Sequence, residues 1–163
     1  MGKLIFIICL ILLICIALFA LRRYRRGRAL VVVQNASQKQ VDTAIKVCLP
    51  NVKTDSFDGS LHQNIIDSEI ISDVWGTGVM AFEYSISKIH LKVEDIVPIR
   101  QQLSQQLKNY ADKNNLKGYQ GMDAFVISDM WIFSDALHID ISYVINRSTA
   151  EYLHDIKAPE REK

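Results

Sequence analysis

The chain has few of the residues that disulfide, nucleotide and metal chemistry leave in a sequence. It contains three cysteines, and two of them, Cys9 and Cys15, sit inside an apolar run. Cys48 therefore has no partner for an intramolecular disulfide, and a lone thiol fits a reducing compartment. There is no P-loop. Gly76-Thr77-Gly78 lacks the third glycine of a dinucleotide fingerprint and reads as a turn. His62, His90, His138 and His154 have no ligand-like spacing. Asp55, Asp58 and Gly59 lack the alternating acids and terminal Glu of a calcium loop. No metal and no cofactor are expected. The myristoylation pattern also fails, because Phe6 stands where Ser or Thr is needed.

What the chain does have is an unbroken apolar segment, Leu4 to Leu21, followed at once by Arg22-Arg23-Tyr24-Arg25-Arg26-Gly27-Arg28. The segment contains no charge, and most of it is Leu, Ile or Phe. As a helix it covers roughly 27 Å, close to the hydrocarbon thickness of a bilayer. Its insertion is favourable by roughly 4–8 kcal/mol, an upper estimate from helix-centre values. A cleaved export signal would have a shorter apolar region, positive charge in front and a small-residue cleavage site behind. Here only Lys3 precedes the run and the arginines follow it. A core helix apolar on every face is rare at a chain terminus. A single transmembrane anchor is the expectation, with no ionisable residue to form a relay and no glycine seam for pairing.

Orientation follows from charge. Arg22, Arg23, Arg25, Arg26 and Arg28 lie on the C-terminal side of the run. The positive-inside rule puts that side in the cytoplasm and the N-terminus outside the inner or plasma membrane. These arginines are candidate contacts to anionic lipid head groups. Residues 29–163 carry thirteen Lys and Arg against eighteen Asp and Glu, a net charge of −5 that the whole-chain value of +1 hides. A body of that sign is a poor nucleic-acid binder. Asn35-Ala36-Ser37 and Asn146-Arg147-Ser148 match the glycosylation sequon, which matters only if the domain is exported.

The length beyond the collar suits one domain. The organisation read from the chain is anchor and basic collar over 1–28, an α+β domain over 29–157, and a frayed tail over 158–163. Ala29 to Val33 reads as a short strand. Ser37-Gln38-Lys39-Gln40 is a capping box opening a helix that carries Val41, Ala44, Ile45, Cys48 and Leu49 and stops at Pro50. A hairpin follows, with arms 65–75 and 78–93 and a bulge expected near Ser87-Lys88. Asp95 opens a long helix with Ile96, Ile99, Leu103, Leu107, Tyr110 and Ala111 in one stripe. Asn114, Asn115 and Gly118 end it. A second hairpin has arms 124–133 and 137–145, turning at Ser134-Asp135. Ser148-Thr149-Ala150-Glu151 is a second capping box before a short helix. Two hairpins imply a mainly antiparallel sheet with helices packed on one face.

His138, Asp140 and Ser142 share one strand face and name the residue types of a catalytic triad. Alternate strand positions lie roughly 6.5–7 Å apart, too far for a hydrogen-bonded relay. A solvated sheet face is the plainer reading, and no catalytic residue is assigned. Trp75, Trp131 and Phe133 lie near the hairpin turns and are candidate interaction residues. The expected function is a membrane-anchored, non-catalytic interaction or assembly module, an accessory of a larger membrane complex. The alternatives are a hydrolase-type enzyme using the His138/Asp140 face, and an exported domain held by an uncleaved anchor.

Overall fold

The computed structural model describes residues 2–61, 66–70, 78–87 and 89–157. The chain divides into two compact units, Met1–Asn35 and Ala36–Lys163. A continuous helix, α1 (Gly2–Cys48), contributes to both.

In the first unit the helix is unbroken through 29–33, where a strand was expected. The reason is hydrogen bonding. A strand needs a neighbour to satisfy its N–H and C=O groups, whereas a helix satisfies its own. Keeping β-branched residues helical costs only tenths of a kcal/mol each. Ser37 is consequently not a cap; it lies inside the helix and is buried. Every described side chain of the run 4–21 is exposed, Phe6 and Phe19 to 68% and 71%. Among the described residues no helix is long and apolar enough to cross a membrane. The side chains at 4, 5, 7–9 and 20 lie outside that set. The span expected there thus finds no support among the described residues.

The second unit is α+β. Its sheet is four-stranded and antiparallel, in the order β1-β2-β4-β3, with β1 at Ile66–Ile70, β2 at Ala81–Ser87, β3 at Phe125–Phe133 and β4 at Ala136–Tyr143. Each hairpin expected from the sequence is a neighbouring pair, and β2 joins β4 between them. The turn region 71–77 of the first lies outside the described residues, as does Lys88. The second turns on Ser134 and Asp135, both left-handed at φ 50° and 59°. Such a two-residue primed turn matches the strand twist. The arm expected to reach Val93 stops at Ser87, and Val93 opens a short 3-10 turn, Val93–Asp95.

Helix α2 (Ile96–Lys113) buries Ile99, Leu103, Leu107 and Ala111 of the stripe read from the sequence, while Ile96 and Tyr110 at its margins are half-buried. Asp95 precedes it, but its carboxylate accepts from the Lys92 N–H at 2.7 Å and from the Ser56 hydroxyl, so it caps the preceding turn. The helix ends in a Schellman motif. Asn115 is left-handed, its N–H donates to Asp112 O, and the Leu116 N–H donates to Ala111 O.

One sheet face carries Phe82, Tyr84, Ile86, Leu137, Ile139 and Ile141, all essentially inaccessible. Burying each such side chain contributes roughly 1.5–3 kcal/mol. The end of α1 and helix α2 cover it. Tyr84 Oη donates to Asp42 Oδ1 at 2.7 Å, and the Tyr110 ring lies 6.2 Å from Phe125.

Helix α3 (Arg147–Lys157) packs on the other face, which corrects the expectation of helices on one side only. Its Tyr152 and Leu153 join Val79, Ala81 and Val144 in a second cluster. The helix also starts two residues earlier than the predicted cap at Ser148 would allow. Asn146 Oδ1 accepts the Thr149 N–H at 2.8 Å, so Asn146 is the cap and Ser148 is already helical. Thr149 Oγ1 then accepts the Met80 N–H at 2.9 Å, tying α3 to the segment that leads into β2.

Candidate functional site

Helix α3 covers only one end of the second face. Register defines what lies on the rest. Glu69, Glu83, Asp140 and Asp129 are successive cross-strand partners, forming a row of carboxylates with one from each strand. The next row holds Ser85, His138 and Trp131, and the row beyond it Ser87, Ala136 and Phe133. The four strands contain no Lys or Arg.

A register shift between Ile127 and Asp129 makes this arrangement. The extra residue, Ser128, turns Asp129, Trp131 and Phe133 onto the polar face and keeps Met130 and Ile132 on the other. A bulge re-aims side chains in this way. The sequence reading placed a bulge near Ser87-Lys88. The signal for the actual one was the parity change from Phe125 and Ile127 to Met130 and Ile132.

His138 Nδ1 lies 2.7 Å from Glu83 Oε1, both side chains being half-buried. Trp131 stacks on the imidazole, with ring centroids 5.1 Å apart and planes within 11°. Phe133 meets the same ring edge-on at 6.4 Å and is 66% exposed. The structure thus brings together His138, Trp131 and Phe133, which the sequence offered as separate candidates. Trp75 lies outside the described residues.

Asp140 is 9% exposed, and among the described residues its buried Oδ1 has no hydrogen-bond partner. Burial, then Glu83 and Asp129 on either side, push its carboxyl up to about 7. Desolvation and like charge both favour the neutral acid. Ser128 Oγ donates to the Asp140 carbonyl at 3.2 Å, and Ser142 Oγ donates to Ser128 Oγ at 3.4 Å. At this end Tyr152 of α3 closes the face, its phenol raised chiefly by burial.

The triad types do not form a relay. His138 pairs with Glu83, and no Ser, Thr or Cys among the described residues hydrogen-bonds to its ring. Nor is the face a simply solvated one, because Ser142 and Asp140 are buried at the α3 end. No group of three or more His, Cys, Asp or Glu among the described residues could hold a metal ion. Cys48 is a core thiol pushed up to about 11 by burial. Of the collar arginines, Arg22 is exposed; Arg23, Arg25, Arg26 and Arg28 lie on α1, with their side chains outside the described set.

Glu69, Glu83 and Asp129 were not singled out from the sequence, since only pairing unites them. A usable hint was present: strands with acids and no Lys or Arg. No protein-family model, curated protein or solved structure matches this chain.

Proposed function

We propose that the protein is a single-pass membrane-anchored interaction module, an accessory component of a larger complex at the inner or plasma membrane. Its N-terminus lies outside and its α+β domain in the cytoplasm. The anchor reading rests on the uncharged apolar run of residues 4–21 and the arginines that follow it. The collar, Arg22, Arg23, Arg25, Arg26 and Arg28, sits among anionic head groups. What favours an interaction role over catalysis is the sheet face itself. It presents an exposed phenylalanine beside a stacked Trp131–His138 pair, with no nucleophile among the described residues hydrogen-bonded to the imidazole.

Cysteine labelling tests the topology. Asp112 is exposed on α2, and Cys48 is buried, so Asp112→Cys supplies an accessible thiol in the domain. A membrane-impermeant maleimide labels it only after lysis if the domain is cytoplasmic. Labelling in intact cells would show an exported domain, and recovery of the chain in the carbonate-soluble fraction would remove the anchor.

A further inference from the structure

We propose that the open part of the second sheet face receives a Lys- or Arg-bearing segment of a partner protein, whose cations pair with Glu69, Glu83 and Asp129 and whose side-chain stems lie on Trp131 and Phe133. This inference rests on the reading of the chain as an interaction module and names the chemistry of its partner.

Charge complementarity is the first argument. The row Glu69–Glu83–Asp140–Asp129 spans every strand, and no Lys or Arg occurs in any of them. The one basic group on the described part of the face, His138, is already engaged by Glu83. An anionic lipid surface or a nucleic acid would be repelled by this row. A cationic segment would be steered to it and would bind in a salt-dependent way.

The second argument is Asp140. Its Oδ1 is buried between Glu83 and Asp129 and accepts no hydrogen bond from any described residue. Natural structures rarely leave such an acceptor uncompensated. Burial first, and then the charges of Glu83 and Asp129, raise the Asp140 carboxyl, and a cation over the row offsets the second of these causes. The groups facing Asp140 are Glu83 from β2, Asp129 from β3, His138 on its own strand and Tyr152 from α3. Docking therefore favours loss of a proton from Asp140, and ionised Asp140 favours docking.

The third argument is the aromatic pair beside the row. Phe133 is exposed, and Trp131 is held flat against His138. Rigid aromatics next to carboxylates suit Lys and Arg, whose apolar stems cover the rings while the charged heads reach the acids.

The test uses the full chain in neutral detergent and a fluorescent peptide alternating Lys and Thr, with its Glu–Thr counterpart as the control. Fluorescence anisotropy should show binding of the basic peptide only. The triple variant E69Q/E83Q/D129N should bind it about tenfold more weakly. A second triple variant, D55N/D112N/D155N, removes the same charge from exposed sites elsewhere and should bind as the wild type does. Equal binding by the two triple variants would show attraction to net charge alone and would overturn the proposal, as would equal binding of the acidic peptide. Titration in two buffers of different ionisation enthalpy should reveal proton release on binding, absent in Asp140→Asn; release unchanged in that variant would remove the coupling. Native-gel migration of solubilised membranes separates this inference from the broader reading. A wild-type chain in a large assembly from which E69Q/E83Q/D129N is lost supports both. Retention of that variant overturns the basic-partner inference alone, and a wild-type chain outside any assembly overturns the module reading.

Discussion

The two faces of the sheet share the same strands and differ in almost everything else. On one, Phe82, Tyr84, Ile86, Leu137, Ile139 and Ile141 are sealed beneath the end of α1 and α2. On the other, half is closed by α3 and half presents carboxylates, His138 and aromatic rings. The first face stabilises the fold through apolar area. The second accepts a cost, because acidic side chains sit directly opposite one another along Glu69–Glu83–Asp140–Asp129.

Four substitutions sharpen that contrast. Phe82→Ala on the sealed face should destabilise by about 3–5 kcal/mol, since the cavity adds to the lost transfer energy; urea unfolding measures it. Thr149→Val should cost about 1–3 kcal/mol, because the Met80 N–H loses its acceptor beneath α3. A loss as large as that of Phe82→Ala would mean that α3 is as central as the apolar layer.

Asp140→Asn should do the opposite and stabilise the protein by about 1–3 kcal/mol near pH 8. The sign follows from linkage. The folded state holds the Asp140 proton up to about 7, against an ordinary value of 3.8. The stabilisation from protonation is fully present below the ordinary value and is lost as pH rises through the folded one. The gain from Asn should therefore shrink towards acid pH; unfolding curves at both ends of that window check it. A gain that does not depend on pH would show that packing, not ionisation, sets it. Phe133→Ser should change stability by no more than about 0.5 kcal/mol while weakening capture of a basic peptide. A larger loss of stability would make Phe133 a core residue.

Strong periodicity was legible without coordinates. The core of the α2 stripe, the second arm at β4, the turn at Ser134-Asp135 and the stop at Pro50 all appear where local pattern placed them. Local pattern failed where a partner decides. The run 29–33 has β-branched residues, but it is helical, because a helix satisfies its own backbone hydrogen bonds. Ser37 and Ser148 look like caps, yet one lies inside a helix that had already begun and the other yields to Asn146. The bulge at Ser128 was visible only as a parity change in a nine-residue strand.

The chain order alone settles that this is an α+β protein with an apolar N-terminal run, a basic collar, an acidic body and a long amphipathic helix. Composition and short-range spacing carry those features, and they need no distant contact. Tertiary structure decides that Glu69, Glu83, Asp140 and Asp129 stand in one row, that Trp131 stacks on His138, and that α3 closes half of that face. Strand register causes this difference. A shift of one residue moves every side chain to the opposite face, and register is set by pairing between segments far apart in the chain.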